Sequence, residues 1–215
     1  MRDRLIFASL ILWGIAAAVS LTLLLAVPLF YIDIHLENLT QISGLSAEVL
    51  RHNFNVLMSY LVNPFESVLQ MPDFPSSPDA LQHFKDVKNL FMLALGLTVI
   101  LSPALFLFLK EHLAILYHNG LRFVMGTPLF IGLVAALIGF DNFFIYFHEI
   151  FFRDDTWLFN PDTDPIINVL TENYFMFTFI LFVVIFELIF FLLYWAGNRR
   201  LQKKLSEKPN NDMQN

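Results

Sequence analysis

The stretch Ser77–Leu109, SPDALQHFKDVKNLFMLALGLTVILSPALFLFL, joins a helix start in a polar segment to an apolar membrane span. Ser77 is a favourable N-cap residue, and Pro78 fits the first helical turn because the N–H that proline lacks has no helical partner there. No further proline follows before Pro103, where we predict a kink. One helix is therefore predicted to run from the polar segment into the membrane.

His83 lies on this helix about two turns before the span, roughly 9 Å by helical rise. Asp86 follows three residues later and so shares a helix face with His83. A histidine beside a carboxylate at the water–lipid boundary is a candidate proton-transfer group. The spacing alone leaves a second interpretation open, in which His83 is an interfacial histidine without a catalytic role.

The composition is that of an integral membrane protein. Of the 215 residues, 57% are hydrophobic, and the mean hydropathy is +0.61, outside the usual range of soluble domains. Four apolar stretches are close to or longer than the roughly 18–20 residues that cross the hydrocarbon core. They cover residues 5–32, 90–109, 123–140 and 174–195. We predict an all-α integral membrane protein, a single polytopic domain with four transmembrane helices.

Basic residues predict the orientation of these spans. Nine of the 13 Lys and Arg residues precede the first span, lie between spans two and three, or follow span four. The positive-inside rule places this side, and both termini, in the cytoplasm. Fourteen of the 19 acidic residues fall in the two outward loops, 33–89 and 141–173. Residues 199–215 are predicted to be a polar, disordered cytoplasmic tail.

Residues 46–61, SAEVLRHNFNVLMSYL, predict an amphipathic helix that lies on the membrane or under a small cap. Its apolar residues recur at helical spacing, at Leu50, Phe54, Leu57, Met58 and Leu61. The opposite face carries Arg51 and His52. This polar face is either a contact for lipid headgroups or a solvated surface.

The segment DNFFIYFHEIFFRDDTWLFNP, residues 141–161, contains eight aromatic side chains. An interfacial belt uses one or two rings at a boundary, so this density predicts the apolar walls of a pocket or groove. His148 lies in its middle, beside Glu149 and on the same outer side as His83. Two histidines at one interface favour the functional interpretation. The predicted chemistry is histidine acid–base catalysis at a membrane surface, on a lipidic substrate.

Three further features concern the spans. The glycines of span three, among them Gly126 and Gly132, suit close helix contact. Asp164 and Pro165 form a helix-start signal, and the helix they open is predicted to run into span four. Glu187 lies inside span four and is a candidate functional acid, unless it is protonated or paired within the bundle.

Several classes of function and site are excluded. The net charge of −6 comes from the outward acidic segments and predicts no nucleic-acid partner. The chain has no cysteine, which excludes disulfides, thiolate metal sites and a cysteine nucleophile. No GxSxG, HExxH or phosphate-binding glycine motif occurs. Two histidines with Asp86 or Glu149 leave a metal site as a weak alternative, and we predict neither metal nor cofactor.

The segments HFKDVK (residues 83–88) and FHEIFFRDDTW (residues 147–157), with RHNFN (residues 51–55) upstream, resemble the lipoprotein intramolecular transacylase family, Lit. These are integral membrane proteins of low-GC Gram-positive bacteria. The resemblance extends over essentially the whole chain, including its length and four-span layout. It implies four transmembrane helices under an extracellular cap, in the plasma membrane, with an active site on the extracellular face.

The resemblance also implies the reaction. The substrate is a diacylglyceryl-modified lipoprotein with a free N-terminal cysteine. Its sn-2 acyl chain moves from the glyceryl oxygen to the cysteine α-amine, and the product is a lyso-form lipoprotein. Two histidines are catalytic in the family, and the matching positions here are His83 and His148. Which histidine is the base and which the acid stays open.

Five residues are predicted to bind substrate or shape the site: Arg51, Asp86, Lys88, Phe151 and Trp157. We expect Asp86 to orient His83. Arg51 or Lys88 is expected to contact a polar part of the substrate or the developing oxyanion. Phe151 and Trp157 are expected to form walls of the site.

We expect a monomer that contacts membrane lipid and a lipoprotein substrate. A hypothesis from another functional class is a non-enzymatic polytopic membrane subunit whose aromatic cap docks a partner protein. Conversion of a diacyl lipoprotein by the purified protein alone distinguishes the two.

Overall fold

The computed structural model describes residues 1–207, without the side chains of residues 204, 205 and 207, and the regular structure in this range is helical. The helices are α1 (Arg2–Leu36), α2 (Leu39–Ser43), α3 (Ala47–Val62), α4 (Pro78–Ile100), α5 (Ser102–Lys110), α6 (Leu113–Leu116), α7 (His118–Ile138), α8 (Phe140–Phe151) and α9 (Glu172–Glu207). A 3₁₀ turn, Pro165–Asn168, precedes α9.

Four helical segments of the described chain are long and apolar enough to cross a membrane. They are Arg2–Leu36, Pro78–Lys110, His118–Ile138 and Glu172–Lys203. These confirm the four predicted spans and the all-α class. Two of them, Pro78–Lys110 and Glu172–Lys203, extend well beyond the predicted apolar stretch. A helix continues as long as its backbone hydrogen bonds continue, and it does not stop where the hydropathy changes.

The helix predicted to join cap and membrane is present as α4. The Ser77 hydroxyl accepts a hydrogen bond from the Ala80 N–H at 3.1 Å, and Pro78 occupies the first helical position. The helix continues to Ile100. The break predicted near Pro103 is confined to Leu101, after which α5 begins with the proline in its first turn.

The amphipathic helix predicted within residues 46–61 is also confirmed, as α3. Its five predicted apolar residues are all buried, in a core shared with the outer half of α1, the start of α4 and the first residues of α9. Phe54 stacks on Phe30 with ring centroids 4.0 Å apart, and Tyr174 meets both rings edge-on at 5.6–5.8 Å. Helix α3 and the parts of α1, α4 and α9 that pack on it therefore form one apolar core.

Two predictions about helix ends need correction. Asp164 does not open the helix of span four, because the 3₁₀ turn ends at Asn168 and α9 begins separately at Glu172. The tail is helical from residue 199 to Glu207, as a continuation of α9, where we had predicted disorder. Residues 208–215 lie outside the described chain.

Gly126 and Gly132 of span three are not at close helix contacts. A Cβ at Gly126 or Gly132 meets no atom within 4 Å. Tighter approaches lie elsewhere. A Cβ at Gly14 would come within 2.4 Å of the Phe190 ring, and between α9 and α6 a Cβ at Gly197 would come within 2.7 Å of the Ala114 Cβ and 2.9 Å of its carbonyl oxygen. Small residues permit close helix packing, but the partner helix decides which of them is used.

Candidate active site

His83 and His148 meet at the junction of α4, α8 and the segment that follows α8. His83 lies in the second turn of α4 and His148 in the last turn of α8. Both are buried, with 7% and 9% of their surface exposed. Their ring centroids are 5.8 Å apart and the ring planes are inclined by 37°. The folded chain thus brings together the two histidines that the sequence singled out.

An aromatic cage encloses this histidine pair. Phe152 contacts both rings, with centroids 4.6 Å from His83 and 5.5 Å from His148. Trp157 stacks on His148 at 4.8 Å, and Phe159 meets the edge of His83 at 5.6 Å. The cage can form because α8 ends at Phe151 and the chain becomes extended at Phe152, with φ −121° and ψ 136°.

His148 has a defined hydrogen bond. Its Nδ1 lies 2.7 Å from the carbonyl oxygen of Phe144, one helical turn earlier, so Nδ1–H must donate because a carbonyl can only accept. The Nε2 lone pair of neutral His148 therefore remains available. Burial lowers the pKa of His148 below its ordinary value of 6.5, and the bond to Phe144 only partly opposes this. The imidazole of His148 is therefore neutral at neutral pH, with Nε2 as its unprotonated nitrogen.

His83 has a different environment. Its Nδ1 is buried and has no hydrogen-bond partner among the described residues. Asp86 and Asp154 are near enough to act on His83 electrostatically. Asp86 nevertheless makes its hydrogen bonds with the Gln82 amide, at 3.0 and 3.1 Å. The expected orientation of His83 by Asp86 therefore has no direct hydrogen bond to support it.

Arg51 lies in a different part of the cap. Its guanidinium group is 5.2 Å from the centre of the Tyr31 ring, and one of its nitrogens is 3.5 Å from Nε2 of His35. Both partners are on the last turns of α1. Arg51 thus joins α3 to α1, and no contact connects it with the histidine pair in the described structure.

Lys88 is also engaged elsewhere. Its ammonium group donates to the carbonyl oxygens of Asn63, at 2.8 Å, and Glu66, and it lies 4.3 Å from the centre of the Tyr60 ring. These contacts fasten the loop after α3 to α4. The predicted role of Lys88 in substrate or oxyanion binding gains no support from this position.

The structure separates the two predicted wall residues. Trp157 lies directly against His148. Phe151 is half-exposed, and its ring contacts Phe147 at 4.7 Å, which in turn lies 5.7 Å from His148. Phe151 is therefore in an outer layer of aromatic side chains.

Sequence reasoning missed Phe144, Phe152 and Phe159 as individual members of the site. Phe144 precedes His148 by one helical turn, so its contact at 4.1 Å follows from local spacing and was available in the sequence. Phe159 lies in the irregular chain after α8, and no local pattern indicates that it returns to His83.

The remaining titratable groups do not extend the site. Within residues 1–207, no group of three or more histidine, aspartate or glutamate side chains is arranged to hold a metal ion. Glu187 lies within span four, and its Oε1 is buried without a hydrogen-bond partner among the described residues.

A family model described as lipoprotein intramolecular transacylase Lit matches residues 4–175. The chain belongs to the Lit family. It is similar to the structure of the membrane integral lipoprotein intramolecular transacylase Lit from Bacillus cereus, with 25% identity and a TM-score of 0.79 over 95% of this chain and 98% of that chain. No curated protein sequence matches this chain significantly.

Two further structures of the Bacillus cereus transacylase carry substitutions of a histidine. The histidine-to-arginine form has 25% identity and a TM-score of 0.74, covering 96% of this chain and 95% of that one. The histidine-to-alanine form has 26% identity and a TM-score of 0.70, covering 95% and 96%. Family membership makes this chain a membrane-integral acyltransferase, a lipoprotein intramolecular transacylase. The hypothesis of a non-enzymatic docking subunit is therefore set aside.

Proposed function

We propose that this transacylase moves the sn-2 acyl chain of a diacylglyceryl lipoprotein to the α-amine of its N-terminal cysteine, by acid–base catalysis on His83 and His148. The observation that carries the proposal is the buried pair itself, with ring centroids 5.8 Å apart inside an aromatic cage. Two structures of the Bacillus cereus relative carry a substituted histidine, which supports the choice of histidines as the candidate catalytic residues.

In the proposed reaction His148 is the base. The substrate α-amine has a pKa of about 8, so most of it is protonated at neutral pH and must first lose one proton to the solvent, which leaves the free amine. The nitrogen of the free amine then bonds to the ester carbonyl carbon. Nε2 of His148 accepts a proton from this nitrogen as the bond forms, since Nδ1–H is held by the Phe144 carbonyl.

His83 completes the exchange as the acid. The bond between the acyl carbon and the glyceryl oxygen breaks, and His83 donates a proton to that oxygen while it receives the amine proton from His148. Both imidazoles are neutral before and after this exchange. Counted from the free amine, the net change is one acyl group moved from oxygen to nitrogen and one proton moved from nitrogen to oxygen, with no acyl-enzyme intermediate.

Orientation supplies much of the proposed catalysis. The nucleophile and the ester belong to one substrate molecule, and holding them in reacting geometry is worth about 7–11 kcal/mol of the barrier. The rings of Phe152, Trp157 and Phe159 surround the histidines and exclude water, which would hydrolyse the ester instead. Phe151 and Phe147 continue this apolar surface outward, and we assign them to the acyl chains.

We place this site on the extracellular face, under a cap formed by 33–89 and 141–173, with both termini in the cytoplasm. The distribution of Lys and Arg supports this orientation. Both histidines and the cage rings come from one chain, which supports a monomeric enzyme in contact with membrane lipid.

Mass spectrometry of a synthetic diacylglyceryl lipopeptide, incubated with purified protein in detergent, tests the proposed function. We expect an unchanged total mass and fragments in which one acyl chain has moved from the glycerol to the cysteine nitrogen. The matched control is the same lipopeptide with an acetylated α-amine, which cannot accept the chain. Release of free fatty acid, or reaction of the blocked lipopeptide, would contradict intramolecular transfer to nitrogen.

A further inference from the structure

The turn between α3 and the proline-rich connector presents an exposed phenylalanine on a fixed backbone. Phe65 has 92% of its surface exposed. Its N–H donates to the Asn63 side chain at 3.1 Å, and the Glu66 N–H donates to the Asn63 carbonyl oxygen at 3.3 Å. The Ser59 hydroxyl holds the Glu66 carboxylate at 2.8 Å. Because hydrogen bonds already fix the backbone of this turn, it loses little further conformational entropy when Phe65 becomes bound.

Lys88 sets the level of this turn relative to the membrane. The Lys88 ammonium group binds the carbonyl oxygens of Asn63 and Glu66, on either side of Phe65. Lys88 precedes the apolar stretch 90–109 of α4 by only two residues, about 3 Å of helical rise. The turn is therefore held at the boundary where α4 enters the hydrocarbon region.

The surroundings of the turn include exposed apolar side chains. Val68 is 62% exposed on the same loop. A crevice of about 270 Å³ between this loop and α4 is lined in part by Val68, Leu81 and Lys85. Lys85 lies one helical turn farther from the span than Lys88 and is exposed. The crevice places apolar side chains beside a cation, and both kinds of group meet at the surface of a phospholipid layer, where the acyl chains adjoin the phosphates.

We propose that Phe65 and Val68 insert into the bilayer leaflet on the cap side, with Lys85 at the level of the lipid phosphates. The occupant is phospholipid and not protein, because one ring and one valine are far smaller than the roughly 800 Å² per partner that a stable protein interface requires. The inserted turn fastens the edge of the cap beside α4 to the membrane surface. This inference concerns the membrane contact of the cap and is independent of the proposed chemistry.

Site-directed spin labelling tests the insertion, and the absence of native cysteine makes single labels unambiguous. Phe65→Cys and Val68→Cys are labelled separately in the full chain and reconstituted into phosphatidylglycerol–phosphatidylethanolamine liposomes. Collision rates are measured with oxygen, which concentrates in the hydrocarbon, and with a water-soluble nickel chelate. Leu93→Cys, on an exposed site of span two, is the lipid control, and Asp162→Cys, in an exposed loop, is the aqueous control.

We expect both labels to show an oxygen-to-nickel ratio close to that of Leu93→Cys and several-fold above that of Asp162→Cys. A ratio equal to that of Asp162→Cys would place the turn in water and overturn the proposal. Protection from both reagents would indicate a protein partner or a second copy, and would overturn it equally. Because each site is already exposed, labelling leaves the folded core untouched, and the two positions provide independent readings.

Discussion

Asp164 and Ser77, 87 positions apart in the chain, are joined by a 2.6 Å hydrogen bond from the Ser77 N–H to Oδ1 of Asp164. Ser77 begins the helix that carries His83, whereas Asp164 follows the segment that carries Trp157. Oδ2 of Asp164 accepts a second bond, from the Thr163 hydroxyl at 2.7 Å. This buried carboxylate ties the two halves of the candidate active site together.

We expect Asp164→Ala to destabilise the protein by about 1–3 kcal/mol, because the Ser77 N–H loses its buried acceptor. Asp162→Ala, an exposed position two residues away, is the matched control and should be neutral within about 0.5 kcal/mol. Thermal unfolding in detergent measures both. Equal melting temperatures for the two variants would contradict a joining role for Asp164.

The stabilisation by Asp164 should depend on pH. Burial by itself would raise the pKa of Asp164, but hydrogen bonds, chiefly from Ser77 and Thr163, lower it below its ordinary value of 3.8. A carboxyl whose pKa is lower in the folded state stabilises fully above its unfolded pKa, and this contribution is lost as the pH falls through the folded value. The difference in melting temperature between wild type and Asp164→Asn should be constant above about pH 5 and shrink below about pH 4. A melting-temperature difference that grows as the pH falls would contradict this prediction.

The histidines provide the most direct functional prediction. Replacement of His83 or His148 by alanine should each lower the transfer rate by about 100- to 10,000-fold, the usual contribution of a positioned acid or base. The double variant should lose little more than either single one, because both groups act in one proton exchange. His52→Ala changes an exposed histidine of the same cap and should retain activity. Mass spectrometry of the lipopeptide follows the rate, and wild-type turnover in both single variants would exclude this mechanism.

Trp157 should help to keep His148 neutral. Burial lowers the pKa of His148 below 6.5, and Trp157 stacks on its ring. Trp157→Ala admits water, so the pKa of His148 should rise toward 6.5 and the base form should be lost at a higher pH than in the wild type. NMR titration of isotope-labelled histidine, assigned with His148→Gln, measures the change. Leu158→Ala, at an exposed neighbour, should leave it unaltered, and a wild-type value at or above 6.5 would contradict the assignment of burial as the cause.

The contact between α9 and α6 makes a prediction about packing. Gly197→Ala places a Cβ 2.7 Å from the Ala114 Cβ and 2.9 Å from the Ala114 carbonyl oxygen, so the helices must move apart. We expect a loss of about 1–3 kcal/mol, typical of overpacking. Gly126→Ala is the control, since a Cβ there meets nothing within 4 Å and alanine favours the helix. If Gly197→Ala melts at or above the temperature of the control, the close approach does not exist in solution.

Much of the fold could be predicted because it depends on consecutive residues. The cap of α4 at Ser77 and the buried face of α3 followed from side chains within one or two turns, and the structure confirms both. Asp164 and Pro165 show the limit of such reasoning. They have the local form of a helix start, yet the Asp164 carboxylate binds a backbone N–H from a distant segment, and only a 3₁₀ turn follows.

The candidate site could be predicted only in part, because some of its features are local in the sequence and others depend on tertiary packing. His83 and His148 stood out as two histidines at one predicted membrane boundary, whereas the partners of Arg51 and Lys88 were not evident. A long cation can reach many carbonyls and rings, and the packing of α3 against α1 and α4 selects Tyr31 for one and the Asn63 turn for the other. Side-chain chemistry alone does not choose among such partners.

The sequence by itself determined the four spans, the helix that carries His83 and the apolar face of α3, because hydropathy, capping and helical periodicity are local properties of the chain. Only the tertiary structure decided that the ring centroids of His83 and His148 lie 5.8 Å apart, and that Phe152, in preference to Phe151, contacts both rings. The physical reason is the end of α8. Once the backbone leaves the helix at Phe152, ring positions no longer follow a repeat and depend on which distant surface the chain folds back to cover.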